Sequence, residues 1–368
     1  MTLTVCCHRK DFKMRPRNLL ALLALCALLI SPLPAAAQEN FTEQELTLTI
    51  GEDTLYATLT LPNGTGKFPA ALLISGSGPT DRDGNTPLIS GKVDSHRNFA
   101  RVLAESGVAS LRYDKIGSGK TGLGNRLNDP TSIDFDMFVD HARAAYDFLK
   151  ARPEVDAQKM LLLGHSEGGL IAQVVAEQVR DEGSLAALVL ATPLSKTYLA
   201  TIRDQITAQY TAAKDAGLFT AEQVTAALEE LNQIVAELQE KGELTTPIQN
   251  PVFQQLFGNP INNKFMAQAS RYDPAVMAAS TPLTLPVLVF CAEFDVQVSC
   301  EDVALLMNGF KRINHPATLV TLAEVNHVFK EVETPNPNPL IDYANEALPF
   351  SAQATEALKA FVAEVFGD

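Results

Sequence analysis

Six short, continuous apolar runs, separated by stretches of helical periodicity, constrain the fold of this chain more than any other feature. The runs cover residues 70–76, 108–114, 159–166, 185–193, 286–295 and 317–325. Apolar side chains at every position of a strand are typical of a parallel sheet that is buried on both faces. The helical stretches cover roughly residues 95–106, 135–151, 168–182, 301–313 and 351–366. This alternation predicts an α/β fold with a doubly wound sheet.

A different pattern precedes the first run. Residues 45–50 and 54–61 alternate polar and apolar side chains on either side of Gly51-Glu52-Asp53. A period of two predicts an antiparallel β-hairpin with one buried face. Together, the hairpin and the six runs predict a sheet of about eight strands, most of them parallel.

The alternation is interrupted after the sixth strand, where about 90 residues carry no strand pattern. Helices are expected in this stretch at residues 197–214, 221–242 and near 261–272. We therefore predict a helical cap at residues 195–284, inserted into an α/β core of residues 38–194 and 285–368. A helical embellishment with no part in the functional site is the alternative.

The first 37 residues carry the pattern of a secretory signal peptide. Arg15 and Arg17 precede an apolar run at residues 19–30, and Ala35-Ala36-Ala37 follows it. Basic residues, a short apolar stretch and small residues at the end indicate cleavage after Ala37. The run is short for a membrane span, so an uncleaved anchor is the weaker interpretation. The pattern predicts a periplasmic or secreted protein with no stable membrane anchor after cleavage, and Met14 is an alternative start.

The net charge of the chain argues against one class of partner. The formal net charge of −14 disfavours binding to the phosphate backbone of nucleic acids.

Cys291 and Cys300 are the two cysteines outside the predicted signal peptide. An exported protein can form disulfides, so these two cysteines either form one bridge across a short loop or remain buried thiols.

The motif Gly164-His165-Ser166-Glu167-Gly168 predicts the chemistry most directly. This G-x-S-x-G sequence follows an apolar strand and precedes a helical pattern. At such a turn the serine hydroxyl stands above the sheet, and the start of the helix faces developing negative charge. The context therefore predicts that Ser166 is a nucleophile.

A serine nucleophile needs a base and an acid from the same edge of the sheet. The chain has six histidines, and in this fold the order is serine, acid, histidine, which leaves His315 and His327. His327 follows the last strand at its carboxyl end, whereas His315 precedes that strand, so we predict His327 as the base. Asp295 ends the preceding strand and is the predicted acid. The weaker candidates are Glu293, which lies two residues earlier, and Asp302, which suits a helix cap.

The remaining histidines are not candidates for the base. His8 lies in the predicted signal peptide, and the side chain of His165 must point away along the turn. His96 and His141 lie on predicted helices, where surface or helix-packing roles are expected.

An oxyanion hole requires two backbone N–H groups near the nucleophile. The first is predicted from Glu167, which follows the nucleophile, and the second from Ser77, with Gly78 as the second choice. Both Ser77 and Gly78 lie in the glycine-rich loop 75–79, after the third strand.

A second glycine-rich segment imitates a nucleotide site. Residues 117–122 match G-x-G-x-x-G, and residues 117–121 resemble the end of a phosphate-binding loop. No helix pattern follows them. Such motifs require a helix N-terminus at the phosphates, so nucleotide binding is not expected. No metal or organic cofactor is implied, because the histidines are not paired at ligand spacing.

Several motifs, in order, resemble those of a known family. They lie at residues 75–85, 111–121, 164–169, 290–299 and 325–329. Over residues 45–366 the chain resembles α/β-hydrolase serine esterases, in the subgroup related to acetyl esterases and prolyl-oligopeptidase-type hydrolases. Ile116 and Ala292 depart from the pattern of that subgroup.

The resemblance implies a triad of Ser166, Asp295 and His327 that hydrolyses small-molecule esters with short acyl chains through an acyl-enzyme. A secreted peptidase or amidase that uses the same triad is the alternative, and a non-enzymatic binding module is a third possibility. The helices at residues 197–214 and 221–242 are expected to cover Ser166 and limit acyl-chain length. The oligomeric state remains open.

Overall fold

The computed structural model describes residues 40–367 of the chain. The predicted signal peptide lies outside the described residues. Within the described residues, no helix combines the length and apolar character needed to cross a bilayer.

The described residues form an eight-stranded, mostly parallel sheet, which confirms the predicted fold class. The strands are β1 Phe41–Ile50, β2 Asp53–Pro62, β3 Phe68–Ile74, β4 Ala109–Tyr113, β5 Val155–His165, β6 Leu185–Ala191, β7 Val287–Ala292 and β8 Thr318–Leu322. Their order across the sheet is β1-β2-β4-β3-β5-β6-β7-β8. β2 pairs antiparallel with both β1 and β4, and the remaining neighbours are parallel. The carboxyl ends of β3 to β8 therefore share one edge.

Eleven α-helices accompany the sheet in the described part of the chain. They are α1 Ser95–Glu105, α2 Phe135–Lys150, α3 Glu167–Gln178, α4 Tyr198–Asp215, α5 Ala221–Lys241, α6 Pro251–Phe257, α7 Pro260–Ala269, α8 Pro274–Ala278, α9 Cys300–Arg312, α10 Pro339–Asp342 and α11 Ala352–Phe366. Short 3₁₀ turns lie at Gly124–Leu127, Pro130–Ser132 and Arg180–Glu182.

Adjacent residues of the central strands belong to opposite hydrophobic cores. Leu162 of β5 packs in the core with α2, α3 and α9. Leu161 and Leu163 pack on the other face, in the core with α1 and α11. Since side chains alternate across a sheet, burial of both faces requires apolar residues at every position, which explains the continuous runs.

Five helices, α4 to α8, lie between β6 and β7. The apolar side chains of α4 to α7 form a hydrophobic core of their own, with Leu231, Phe253 and Met266 among its buried members. α5 begins with a capping box between Thr220 and Gln223. It ends at Gly242, whose positive φ of 75° suits a glycine.

A disulfide closes the loop between β7 and α9. Cys291, in β7, is bonded to Cys300, the first residue of α9, and their Cα atoms are 5.4 Å apart. Of the two alternatives from the sequence, a bridge or two buried thiols, the structure thus shows the bridge. α9 is capped by Ser299, whose hydroxyl accepts a hydrogen bond from the N–H of Asp302. The suggested cap role for Asp302 is therefore wrong, and this carboxylate instead pairs with Lys196.

Candidate active site

Ser166 occupies a strained turn between β5 and α3. Its backbone has φ 56° and ψ −122°, a combination that costs a residue with a side chain about 1–3 kcal/mol. The flanking glycines make the turn possible. A Cβ on Gly164 would lie 2.1 Å from the carbonyl oxygen of Gly168, and one on Gly168 would lie 2.1 Å from that of Ile74. The turn brings Ser166 to the carboxyl edge of the parallel strands.

Asp295 and His327 form a buried pair at the same edge. The Nδ1 of His327 donates to Oδ2 of Asp295 at 2.6 Å. The other carboxylate oxygen accepts from the N–H groups of Gln297 and Val298 at 2.7 and 2.9 Å. With the proton on Nδ1, the Nε2 of His327 can accept the proton of a nucleophile. The structure therefore brings Asp295 and His327 together with the ring orientation that a general base requires.

Ser166 and His327 line one cavity of about 280 Å³. This cavity, called here the histidine-side cavity, is also lined by Ser77 and Gly78 of the glycine-rich loop. The predicted nucleophile, base and loop thus meet in one space. His315, by contrast, donates from Nε2 to the carbonyl oxygen of Pro282 and is not among the residues that line this cavity.

The glycine-rich loop approaches the nucleophile closely. A Cβ on Gly76 would lie 3.1 Å from the Cβ of Ser166. Ser77, Ser166 and Glu167 line a small gap of about 40 Å³. The structure thus places both predicted oxyanion residues beside Ser166.

Two further histidines, which the sequence did not associate with the site, lie beside it, and His165 itself lines the histidine-side cavity. The ring of His165 is 4.8 Å from that of His327 and 5.4 Å from that of His96, measured between centroids. Burial lowers the pKa of His96 to about 4. Burial, with smaller contributions from the neighbouring histidines, lowers the pKa of His165 well below its ordinary value. Both rings are therefore neutral near pH 7 and do not oppose a positive charge on His327. His96 and His141 are both buried, so helix packing rather than surface exposure is the correct description.

A buried lysine, also missed by the sequence analysis, contacts Glu167 and the residue that precedes Ser77. Lys115 follows β4, and its Nζ donates to the carbonyl oxygen of Gly76. The same Nζ lies 3.6 Å from Oε1 of Glu167. Burial lowers the pKa of Lys115, while the Glu167 carboxylate acts in the opposite direction. Burial, followed by the Glu167 carboxylate, raises the pKa of Tyr198, the first residue of α4, far above its ordinary value.

An apolar cleft of about 490 Å³ lies between the core and the inserted helices. It is called here the insertion cleft. Its inserted walls come from α4, α6 and α7, through residues that include Ile202, Leu256 and Phe265. None of the described residues that line this cleft comes from α5, whose Leu228 and Leu231 pack within the insertion's own core. The expectation that residues 221–242 cover Ser166 is therefore wrong. An amphipathic pattern shows that a helix buries one face but not which neighbour it meets.

The glycines of the nucleotide-like segment serve a structural purpose. The carboxylate of Asp114 accepts from the N–H groups of Arg82 and Lys120, each at 2.8 Å. A Cβ on Gly119 would lie 2.3 Å from the Cγ of Asp114. The segment wraps around a buried carboxylate. Within residues 40–367, no three or more His, Cys, Asp or Glu side chains are grouped to hold a metal ion.

Comparison with known proteins agrees with this architecture. Residues 90–328 match the model of a family described as serine aminopeptidase, S33. Esterase EstD from Thermotoga maritima is 27% identical over 291 residues, which is 79% of this chain. The chain spans 60% of the length of that curated relative.

Solved structures with the α/β-hydrolase fold resemble the chain over most of its length. Est1E from Butyrivibrio proteoclasticus has a TM-score of 0.53 at 19% identity, over 88% of this chain and 99% of its own. The α/β-hydrolase GrgF from Penicillium sp. sh18 has a TM-score of 0.53 at 18% identity, over 89% of this chain and all of its own. These likenesses show the shared fold.

Proposed function

The chain belongs to the family described as serine aminopeptidase, S33, and we propose that it is a serine hydrolase that cleaves carboxylic esters. One observation carries the proposal. Ser166, held at a positive φ, shares a cavity with His327, whose Nδ1 is bonded to Asp295. A strained serine beside an oriented, buried imidazole is the arrangement that nucleophilic catalysis needs.

In the proposed reaction, Nε2 of His327 takes the proton of the Ser166 hydroxyl as the oxygen attacks the ester carbonyl. The oxyanion of the tetrahedral intermediate accepts hydrogen bonds from the N–H groups of Ser77 and Glu167. His327 then protonates the leaving alcohol, which leaves an acyl group on Ser166. Water, deprotonated by His327, then attacks the acyl carbonyl. The bond to Ser166 breaks as His327 returns the proton to the serine oxygen, and the carboxylic acid is released. Asp295 holds the ring and stabilises its positive charge.

The positions of the two cavities suggest how the ester lies. Since His327 must protonate the leaving alcohol, the alcohol belongs in the histidine-side cavity. The acyl group then faces the insertion cleft, which Glu167 also lines and which is mostly apolar. A space of about 490 Å³ accommodates more than an acetyl group, so we propose a range from short acyl chains to medium ones.

Amide hydrolysis is the second candidate, because the matching family is described as aminopeptidases. An aminopeptidase must bind a free ammonium group, which requires an available carboxylate. Among the described residues that line the two cavities, Glu167 is the one carboxylate, and Lys115 already pairs with it. This charge arrangement favours esters.

The test is turnover of p-nitrophenyl esters with two to twelve acyl carbons beside aminoacyl p-nitroanilides, with Ser166→Ala as the control. Ester turnover at least 100-fold faster than anilide turnover, with fluorophosphonate labelling of wild type but not of Ser166→Ala, would support the proposal. Faster turnover of the anilides would support the aminopeptidase. Absence of both turnover and labelling would support a binding module.

We also propose export to the periplasm or the medium. The pattern of residues 1–37 supports export, and so does the Cys291–Cys300 bridge, because disulfides persist in oxidising compartments. Intact mass of the protein from the periplasmic fraction should fit a chain that begins at residue 38. Full-length protein confined to the cytoplasm would contradict this.

A further inference from the structure

The carbonyl group of Gly76 and the N–H of Ser77 are two ends of one peptide group. The described residues contain no cis peptide bonds, so this group is trans. In a trans peptide, the C=O and N–H bonds point in opposite directions in one rigid plane. Whatever holds the Gly76 oxygen therefore also sets the direction of the Ser77 N–H, which is the proposed oxyanion donor.

Lys115 holds that oxygen. Its ammonium donates to the carbonyl oxygen of Gly76 from a side chain that is 7% exposed. Its other described partners are the Glu167 carboxylate, with Oε1 at 3.6 Å, and the ring of Phe138, whose centroid is 5.5 Å away. A buried ammonium is expensive unless it is paired and hydrogen-bonded, so these contacts fix its position tightly.

The same side chain also reaches the second donor. Glu167 supplies the other proposed N–H from its backbone, while its carboxylate faces Lys115. One ammonium thus contacts the peptide group that carries the Ser77 N–H, through the Gly76 oxygen, and the side chain of Glu167. The loop 75–79 has few other restraints within it, one being the hydrogen bond from the Thr80 hydroxyl to the carbonyl oxygen of Ser77.

We propose that Lys115 is a positioning residue of the oxyanion hole. It orients the Gly76–Ser77 peptide, and its charge at the carbonyl oxygen polarises the peptide so that the Ser77 N–H becomes a stronger donor. This inference rests on the proposed serine hydrolase function. The benefit is greatest when negative charge develops on the substrate, so Lys115 acts on the transition state more than on substrate binding.

The test compares Lys115→Met, Lys115→Arg and the double variant Lys115→Met/Glu167→Gln with wild type. The double variant removes the carboxylate that Lys115→Met alone would leave buried without its cation. Arg112→Met is the matched control, because Arg112 is a buried cation on β4 whose partners Glu43 and Asp83 lie outside the proposed mechanism. The readouts are kcat, KM, the folded fraction and the Kd of an alkyl boronic acid, which forms a tetrahedral adduct on the serine.

For both Met variants, we expect kcat to fall about 10- to 100-fold, less than the loss of a whole oxyanion donor, with KM within threefold of wild type. The boronate Kd should rise by the same factor as kcat/KM falls. Lys115→Arg should recover much of both losses, and Arg112→Met should keep kcat per folded molecule within twofold of wild type.

A merely structural lysine would give a different pattern. If the double variant folds and keeps kcat and boronate affinity within twofold of wild type, the proposal is wrong. It is also wrong if the whole loss appears in KM. If Lys115→Met does not fold, the double variant and Lys115→Arg decide on the same criteria. Failure of wild type to cleave any ester would contradict the proposed function instead, and the boronate affinities would still decide the role of Lys115.

Discussion

His165 is hydrogen-bonded from Nε2 to the backbone carbonyl oxygen of His327 at 2.9 Å. The residue before the proposed nucleophile is thereby tied to the proposed base, 162 positions along the chain. Thr192, which follows β6, donates to the same carbonyl oxygen at 3.3 Å. The geometry of Ser166 and His327 is therefore set by direct bonds between their own segments as well as by the sheet.

Replacing His165 with Phe should disturb catalysis without removing any reacting group. Phe keeps the ring packing but loses the hydrogen bond to the His327 carbonyl oxygen, so the segment that carries His327 can shift. We expect kcat to fall about tenfold, since small misplacements of catalytic groups are costly. Steady-state kinetics on p-nitrophenyl acetate checks this. Unchanged kcat in a folded His165→Phe variant would show that Thr192 and the sheet suffice.

Replacing Ser166 should separate activity from stability. Ser166→Ala should lose on the order of 10⁶-fold in kcat, because the nucleophile is gone. Ser166→Gly should be equally inactive but more stable than Ser166→Ala by about 1 kcal/mol, because glycine tolerates the positive φ. Urea denaturation measures the difference. Equal stabilities, or activity above a few per cent in either variant, would contradict the strained-nucleophile assignment.

The two histidines near β8 should respond in opposite ways. His327→Ala should match the loss of Ser166→Ala in order of magnitude. His315→Ala should keep kcat/KM within about twofold and lose about 1 kcal/mol of stability, since its described hydrogen bond is to the carbonyl oxygen of Pro282. Parallel kinetics and denaturation of the two variants test this, and an inactive His315→Ala beside an active His327→Ala would exclude His327 as the base.

The insertion cleft should control acyl-chain length. Ile202→Ala should open the wall contributed by α4 and raise kcat/KM for longer acyl chains, with about 0.8 kcal/mol for each further buried methylene. Leu231→Ala is the control, because this side chain is buried in the insertion's own core. The control should lose about 2–5 kcal/mol of stability and keep the chain-length profile. The profile is measured on p-nitrophenyl esters. If it shifts in Leu231→Ala but not in Ile202→Ala, the insertion cleft does not control acyl-chain length.

Acid should destabilise the protein through its buried histidines. Burial lowers the pKa of His96 from 6.5 to about 4, so the unfolded state binds the proton more tightly. The stabilising effect of the neutral ring is complete above pH 6.5 and is lost as the pH falls towards 4. The difference between the two pKa values corresponds to a loss of about 3 kcal/mol in the free energy of unfolding over this pH range. His96→Phe should flatten the fall in unfolding free energy between pH 7 and pH 4, and an unchanged slope would count against the assignment.

The parts of the site that lie on one continuous segment could be predicted from sequence. The turn at Ser166 depends on its immediate neighbours, and the order of strands brings Asp295 and His327 to the same edge. Lys115 could not be recognised, because its partners Gly76 and Glu167 lie 39 and 52 positions away and nothing local marks a lysine as buried. The lining of the insertion cleft was missed for a related reason, since helical periodicity does not identify the neighbour of a helix.

The bridge between Cys291 and Cys300 has a practical consequence for anyone who prepares this protein. The bridge spans nine positions and encloses Asp295, so oxidised and reduced molecules differ in how firmly the proposed acid is tethered. We expect a batch made in a reducing host to contain reduced molecules, and its specific activity to depend on their share. Free-thiol titration beside active-site titration makes rates comparable between batches.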